Sequence, residues 1–173
     1  MFINKIDKKH YKDLAIFLSK YFLPKKNIDY YEKKFLLIWD NNPSYEDEDI
    51  RGFIIEDNNE IKGSILNVQI DYVFNKKNVK VSCPSYWYVK KDYRSYSLHI
   101  LLEFVNNYKY IINSTANKLT VPIYKRLEFI DINENNQSYV KINSYKLIQL
   151  FLEKYIIKKN NKYLSKFLFF FTF

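Results

Sequence analysis

The stretch from Trp87 to Phe129 restricts the fold of this 173-residue chain more than any other. An apolar run ending at Val89 leads into a turn that carries Arg94. Leu98, Leu101, Leu102 and Val105 then recur at helical spacing, which predicts a helix with one apolar face. A second short apolar run, Tyr110–Ser114, predicts a buried strand. Residues 118–127 predict a short helix in which Pro122 fits only near the first turn. In succession these elements require a mixed sheet with helices on one core.

The flanking segments extend that pattern. Tyr11, Leu14, Ala15, Leu18 and Phe22 share one helical face over residues 7–23; Asp7 is placed to cap its start and Pro24 to stop it. Residues 28–39 read as a second, shorter helix. Phe53–Glu56, Ile61–Val73 and Val79–Val89 read as three strands, joined by the turn signals Asp57-Asn58-Asn59-Glu60 and Asn75-Lys76-Lys77-Asn78. Pro84 falls inside the third strand, cannot donate to a ladder, and so predicts an edge position or a bulge. Phe129–Ile132 and Ser138–Ile142 predict a last strand pair.

From Ser144 the character changes. Ile148, Phe151, Leu152, Tyr155 and Ile156 form one amphipathic face, and Tyr163, Leu164, Phe167, Leu168 and Phe171 form another. The expected organisation is one domain over 1–143 and an amphipathic helical tail over 144–173. Such a tail would pack on the domain or on a second copy, giving a homodimer. Because lysines flank its apolar faces, a peripheral membrane surface is the alternative seat.

Composition narrows the function classes. Hydrophobic residues make up 47% of the chain, enough to build a core and to exclude disorder. The 28 basic and 19 acidic residues give +9, but the lysines come in scattered pairs such as Lys8-Lys9 and Lys158-Lys159 and no run reaches five. That pattern reads as a solvated surface, and nucleic acid is not an expected partner. Cys83 is the single cysteine and His10 and His99 the two histidines, so no metal is expected and a reducing compartment is. The N-terminus has no apolar signal core and no run suffices for a membrane span, so the expected location is cytoplasmic.

Two local patterns carry a family resemblance. The first is the run Trp87-Tyr88-Val89 followed by Tyr93-Arg94-Ser95-Tyr96-Ser97-Leu98-His99. The second is Asn117, with Thr120, Tyr124, Glu128 and Phe129 at the spacing Asn-x-x-Ala-x-x-x-Tyr-x-x-x-Gly-Phe. Together they resemble the acyl-CoA-binding core of the GNAT acyltransferases, over roughly Arg51 to Ile142. The resemblance implies an α/β (α+β) fold: a mixed, mostly antiparallel central sheet with two splayed parallel strands, flanked by helices and followed here by the helical tail. It implies acetyl-CoA, or another acyl-CoA, as co-substrate, with its pantetheine arm on the strand through Trp87, Tyr88 and Val89. The pyrophosphate would rest on the turn from Arg94 through Ser95, Tyr96, Ser97 and Leu98 to His99, and Asn117 would contact the cofactor. Tyr124 would be the general acid that protonates the departing thiolate.

The chain departs from the family pattern at defined places. No glycine follows Gly63; Ser97 and His99 stand where the phosphate turn has glycines, and Glu128 stands where the helix end has one. The Arg94-x-x-Ser97-Leu98 pattern is similar to a glycine-poor variant found with surface-polysaccharide genes. Asp92, Glu56 and Asp71 lie at strand ends as solvated carboxylates, and none is assigned as a general base. The expected activity is transfer of an acetyl group from acetyl-CoA to an amine of a small-molecule acceptor. Two alternatives stay open: a GNAT-fold module without turnover that only binds, and a basic protein that binds nucleic acid or a membrane surface.

Overall fold

The chain from Gly52 to Val89 folds back on itself twice and forms most of the sheet, with the consecutive residues Phe53, Ile54 and Ile55 buried on both of its faces. The structure, a computed structural model, describes residues 1–74, 76–114, 116 and 118–130. Strands β1 (Phe2–Lys5), β2 (Gly52–Asp57), β3 (Glu60–Phe74) and β4 (Lys77–Val89) form one antiparallel sheet in the order β1-β2-β3-β4. The β2–β3 turn places Asn58 and Asn59 at φ 51° and 59°, the left-handed pair that a tight hairpin demands and asparagine tolerates. Strand β1 is absent from the sequence reading. Its four residues, Phe-Ile-Asn-Lys, are mostly exposed and pair with β2 through the main chain, so no burial pattern marks it.

Helices cover both faces. Asp7 caps the start of the first as expected: its carboxylate accepts from the Lys9 N–H at 3.0 Å, and its own N–H donates to His10 Nδ1 at 3.0 Å. This capped turn runs into α1 (Tyr11–Tyr21), which pairs with α2 (Ile28–Phe35). A widened π turn, Leu36–Asp40, continues α2 and seats Trp39, whose indole N–H donates to the Asn67 carbonyl at 2.8 Å. Leu14, Leu18, Tyr31, Phe35 and Trp39 pack with Ile54 and Leu66 of the sheet.

Strand alternation sends Phe53 to the opposite face from Ile54. There Phe53 meets Tyr108, which packs on Phe104 of α3 (Ser97–Asn107) at 4.5 Å between centroids. The face α3 buries is Ile100, Leu101 and Phe104, whereas Leu98 is 47% exposed and Leu102 and Val105 are half-buried. The buried face thus shares Leu101 with the expected stripe and is turned from it by about a quarter of a turn. Leu98 and the fully buried Ile100 share the first turn of α3, so it is the side of the helix and not its distance along the helix that exposes Leu98. Truncating any of the fully buried rings, Phe35, Trp39 or Phe104, costs about 3–5 kcal/mol.

The chain divides into two compact units, Met1–Val121 and Pro122–Phe173. The second is described only to Ile130, and begins with most of α4 (Val121–Arg126). The strand pair through Ser138–Ile142, the boundary after residue 143 and the helical tail lie outside the described residues. No described helix is long and apolar enough to cross a membrane.

Candidate active site

Among the described residues, the outer edge of β4 parts from its neighbour halfway along its length. Ser82 begins a parallel ladder with the segment after α3: its N–H donates to the Tyr110 carbonyl at 2.9 Å, and its carbonyl accepts from the Ile112 N–H at 3.1 Å. In a strand, alternate residues point their N–H groups to the same side, so the next outward donor falls at position 84. Pro84 has no N–H, and the ladder stops. Among the described residues no main-chain bond joins 84–89 to 111–114. The expected buried strand over Tyr110–Ser114 is therefore reduced to one bridge at Ile111, and Tyr110 is 44% exposed. Among the described residues the segment's one strand bridge is to Ser82, so periodicity alone overstates the described pairing.

A bulge follows at once. Leu66 stands opposite Ser85 and Ser64 opposite Tyr88, so Tyr86 and Trp87 together oppose Ile65. Tyr86 takes φ 49°, a left-handed conformation that costs a side-chain-bearing residue about 1–2 kcal/mol. The Ser64 hydroxyl donates to the Tyr86 carbonyl at 3.1 Å and holds the bulge in place. Beyond it the Lys90 N–H donates to the Lys62 carbonyl at 2.9 Å. Alternation then turns the Val89 N–H away from β3, toward the open side. The Val89 side chain is buried against Gly63, where an added Cβ would lie 2.9 Å from Val89 Cγ2.

The turn after Val89 is wound as a 3-10 helix, Lys91–Tyr96, that runs straight into α3. This winding satisfies the Tyr93 and Ser97 N–H groups internally, on the Lys90 and Arg94 carbonyls. A glycine-rich turn could leave those donors free; this one leaves fewer. The Tyr93 hydroxyl donates to Asp57 Oδ2 at 2.8 Å and pins the turn to the β2–β3 hairpin. That contact, helped by the amino terminus 3.4 Å away, holds the Asp57 carboxyl below its ordinary range and pushes the Tyr93 phenol up. No side chain caps the start of α3. Arg94, Ser95, Tyr96, Leu98 and His99 are exposed there, Ser97 is half-buried, and the Tyr96 and His99 rings lie 5.8 Å apart against each other. Trp87 and Tyr88 are half-buried, and Tyr88 points to the α1 face, where it meets Phe17 and Tyr21. Among the described residues no group of three His, Cys, Asp or Glu side chains is arranged to hold a metal ion.

No protein-family model matches the sequence, and no curated protein matches it significantly. Solved structures do match. A protein from Clostridium acetobutylicum described as a predicted acetyltransferase, solved with acetyl-CoA, superposes with a TM-score of 0.59 at 22% identity, over 80% of this chain and 95% of its own. A GNAT family acetyltransferase from Staphylococcus aureus gives 0.54 at 15%, over 81% and 96%. The glucosamine-6-phosphate N-acetyltransferase of Arabidopsis thaliana gives 0.53 at 12%, over 83% and 97%. The fold is that of the GNAT acetyltransferases.

In this GNAT fold the segment Trp87–His99 is one continuous stretch of strand end, turn and helix start within the first unit. Asn117 lies outside the described residues. Tyr124 belongs to the second unit, on α4; it is 6% exposed and its ring lies 5.0 Å from Phe129. Pro122 occupies the second position of α4, within the first turn. The helix ends in a left-handed cap even without glycine: Phe129 N–H donates to the Tyr124 carbonyl, Glu128 N–H donates to the Lys125 carbonyl, and Glu128 takes φ 63°. Sequence reasoning missed the Asp57–Tyr93 anchor and the strain at Tyr86. The first has no local signal, and only the Pro84 bulge hinted at the second.

Proposed function

We propose that the chain transfers an acetyl group from acetyl-CoA to an amine of a small molecule. The observation that carries this reading is the open edge of β4, where the ladder ends at Pro84 and the Val89 N–H faces the gap. A main-chain donor such as the Val89 N–H, turned outward from a diverging strand, suits an amide-bearing arm such as pantetheine, which adds to the edge as a strand would. The acetyltransferase names of the structural neighbours, one of them solved with acetyl-CoA, support the same donor.

The chemistry follows from that placement. A neutral amine nitrogen attacks the thioester carbonyl carbon; an N–C bond forms and negative charge gathers on the carbonyl oxygen. The Val89 N–H, fixed in direction by the Lys90–Lys62 bond, is the donor for that charge. Collapse breaks the C–S bond, the nitrogen loses a proton to solvent, and the departing thiolate takes one from Tyr124 as general acid. Tyr124 regains its proton from water. Arg94 and the hydroxyl of Ser97 meet the pyrophosphate, with Ser95, Tyr96, Leu98 and His99 forming the turn and Asn117 a further cofactor contact. Most of the rate comes from holding the two reactants together. The acceptor is a small molecule of the amino-sugar class or similar, and the protein acts in the cytoplasm.

The test is a thermal-shift titration with acetyl-CoA. Ligand at about a hundredfold excess over Kd raises stability by about 2.7 kcal/mol. An unmoved melting temperature at millimolar acetyl-CoA would overturn the reading and leave a fold that only resembles an enzyme.

A further inference from the structure

The end of α1 and the end of β4 bring two ammonium groups onto one phenol. Lys90 Nζ lies 4.7 Å and Lys20 Nζ 5.3 Å from the Tyr21 ring centroid. Tyr21 in turn stacks on Tyr88, with centroids 6.2 Å apart and planes at 13°. Among the described residues neither lysine has a carboxylate within ion-pair distance. The nearest acidic influence is Glu60, and its carboxylate is held by Lys62. Two like charges whose acidic neighbour is already held by a third lysine still repel one another, and an arriving anion relieves that repulsion. The position of Lys20 in the last turn of α1 accounts for one of the two, since a helix C-terminus favours a cation. It does not account for Lys90, which comes from the sheet.

We infer that Lys20 and Lys90, with the Tyr21 hydroxyl between them, bind an anionic group, a phosphate or carboxylate, of the acyl acceptor. The inference rests on the acyltransfer reading, and the faces of the sheet decide the source of the anion. Tyr88 and Lys90 point to the α1 face, whereas the turn that would take the cofactor's phosphates runs into α3 on the opposite face. An anion bound by Lys20 and Lys90 is thus separate from the cofactor's pyrophosphate. It lies one residue past Val89, at the same end of β4 as the gap. Lys90 foremost, with Lys20, also draws the Tyr21 phenol below its ordinary value, which makes its O–H a better donor to an unprotonated phosphate oxygen.

The experiment uses the full chain and inorganic phosphate as probe, followed by NMR of the lysine and tyrosine signals, with and without acetyl-CoA. Wild type binds phosphate, more weakly as salt rises, and also binds it when acetyl-CoA is present. In the double variant Lys20→Ala/Lys90→Ala phosphate affinity falls about tenfold or more, as loss of charge-assisted hydrogen bonds requires, while acetyl-CoA affinity is unchanged. Lys12→Ala, which removes an exposed charge from α1 elsewhere, leaves phosphate affinity as it was. Phosphate binding that is absent in wild type, or lost equally in Lys12→Ala, overturns the inference. Phosphate and acetyl-CoA excluding each other would also overturn it, because the anion would then belong to the cofactor. Acetyl-CoA bound without phosphate sinks this site and leaves the acyltransfer reading intact. Phosphate bound through these lysines without acetyl-CoA sinks the assignment to an acceptor.

Discussion

Replacing Gly63 by alanine probes the seat of Val89, the residue on which the proposed chemistry depends. A Cβ built on Gly63 lies 2.9 Å from Ile55 Cδ1, 2.9 Å from Val89 Cγ2 and 3.3 Å from the Tyr88 carbonyl oxygen. The Ile55 contact is the tip of a flexible side chain and can swing away. Val89 is β-branched and stiff at χ1, so its methyl moves only if the strand does. Overpacking of this kind costs about 1–3 kcal/mol. Gly63 does not take a positive φ, so alanine is conformationally allowed there and recovers about 0.4–1 kcal/mol through a stiffer unfolded chain. The expected net loss is about 1–2 kcal/mol, a fall in Tm of roughly 2–8 °C for a chain of this length. The decisive measurement is a double-mutant cycle by thermal and urea denaturation. In a Val89→Ala background the offending methyl is gone, and Gly63→Ala should then cost at least about 1 kcal/mol less. Equal costs in both backgrounds would refute the packing argument. Gly63→Ala should also reduce the stabilisation by acetyl-CoA, since a shifted β4 misdirects the Val89 N–H.

Tyr124→Phe should lower kcat about tenfold or more with little change in acetyl-CoA affinity; parallel loss of both in steady-state and thermal-shift assays would mark a packing role instead. Gly52→Ala should be worse than Gly63→Ala, at about 3 kcal/mol or more, because Gly52 has φ 122° and its Cβ would lie 2.3 Å from the Ile65 carbonyl, which is main chain and has nowhere to go. A Gly52→Ala variant melting close to wild type would contradict that geometry. Alkali should destabilise the fold. Burial pushes Tyr11 up to about 12 and raises Tyr45 and Tyr108 as well, so these phenols keep their protons when folded and lose them when unfolded. Their stabilisation is complete below the unfolded value of about 10 and declines as pH rises through the folded values, by up to about 1.4 kcal/mol per pH unit for each proton. Urea midpoints measured across that window should fall, and should fall less steeply in Tyr45→Phe/Tyr108→Phe; a flat profile in wild type would contradict the assigned burial.

What the sequence disclosed was what depends on local chemistry. Asp7 read as a cap and is one; Asn58-Asn59 read as a turn and supplies two left-handed residues; Pro84 read as an edge or bulge and marks both. The three-strand meander of β2, β3 and β4, and the turn and helix that follow Val89, come from the same signals. What failed depends on partners distant in sequence. Strand β1 exists because β2 offers an edge 50 residues later, with Phe2 against Glu56 and Lys5 against Phe53. The α3 face is Ile100, Leu101 and Phe104, a side of the helix set by the sheet it packs on and not by the spacing of its leucines. Tyr93 looked like one tyrosine among 17, and only the fold brings Asp57 to its hydroxyl. Of the candidate site, the stretch Trp87–His99 could be located by pattern, but the direction of the Val89 N–H and the 3-10 winding of the turn are properties of the bulge and of a chain without glycine there.

An unpaired strand edge is a hazard that folded proteins ordinarily cover or cap. Here three separate features coincide where β4 parts from the described segment after α3. Pro84 removes the donor that would extend the ladder from Ser82; the extra residue at Tyr86–Trp87 bends the strand away; and Tyr86 takes a left-handed conformation that an aromatic residue adopts only under constraint. Pro84 ends the outer ladder, whereas the ladder with β3 resumes beyond the bulge at Tyr88 and Val89. The coincidence of the three features at the point of divergence, with Ser64 tying down the bulged carbonyl, is the pattern of strain held for use. The turn beyond shows the opposite economy. With no glycine available, it winds as a 3-10 helix and satisfies its own donors, so a pyrophosphate would meet Arg94 and side-chain hydroxyls more than a ring of free N–H groups. If that division is right, Arg94→Ala should weaken acetyl-CoA binding more steeply than the loss of one surface charge, about tenfold, and the loss should be largest at low salt. Binding that ignores Arg94 would mean that the open edge of β4, and not the turn, holds the donor.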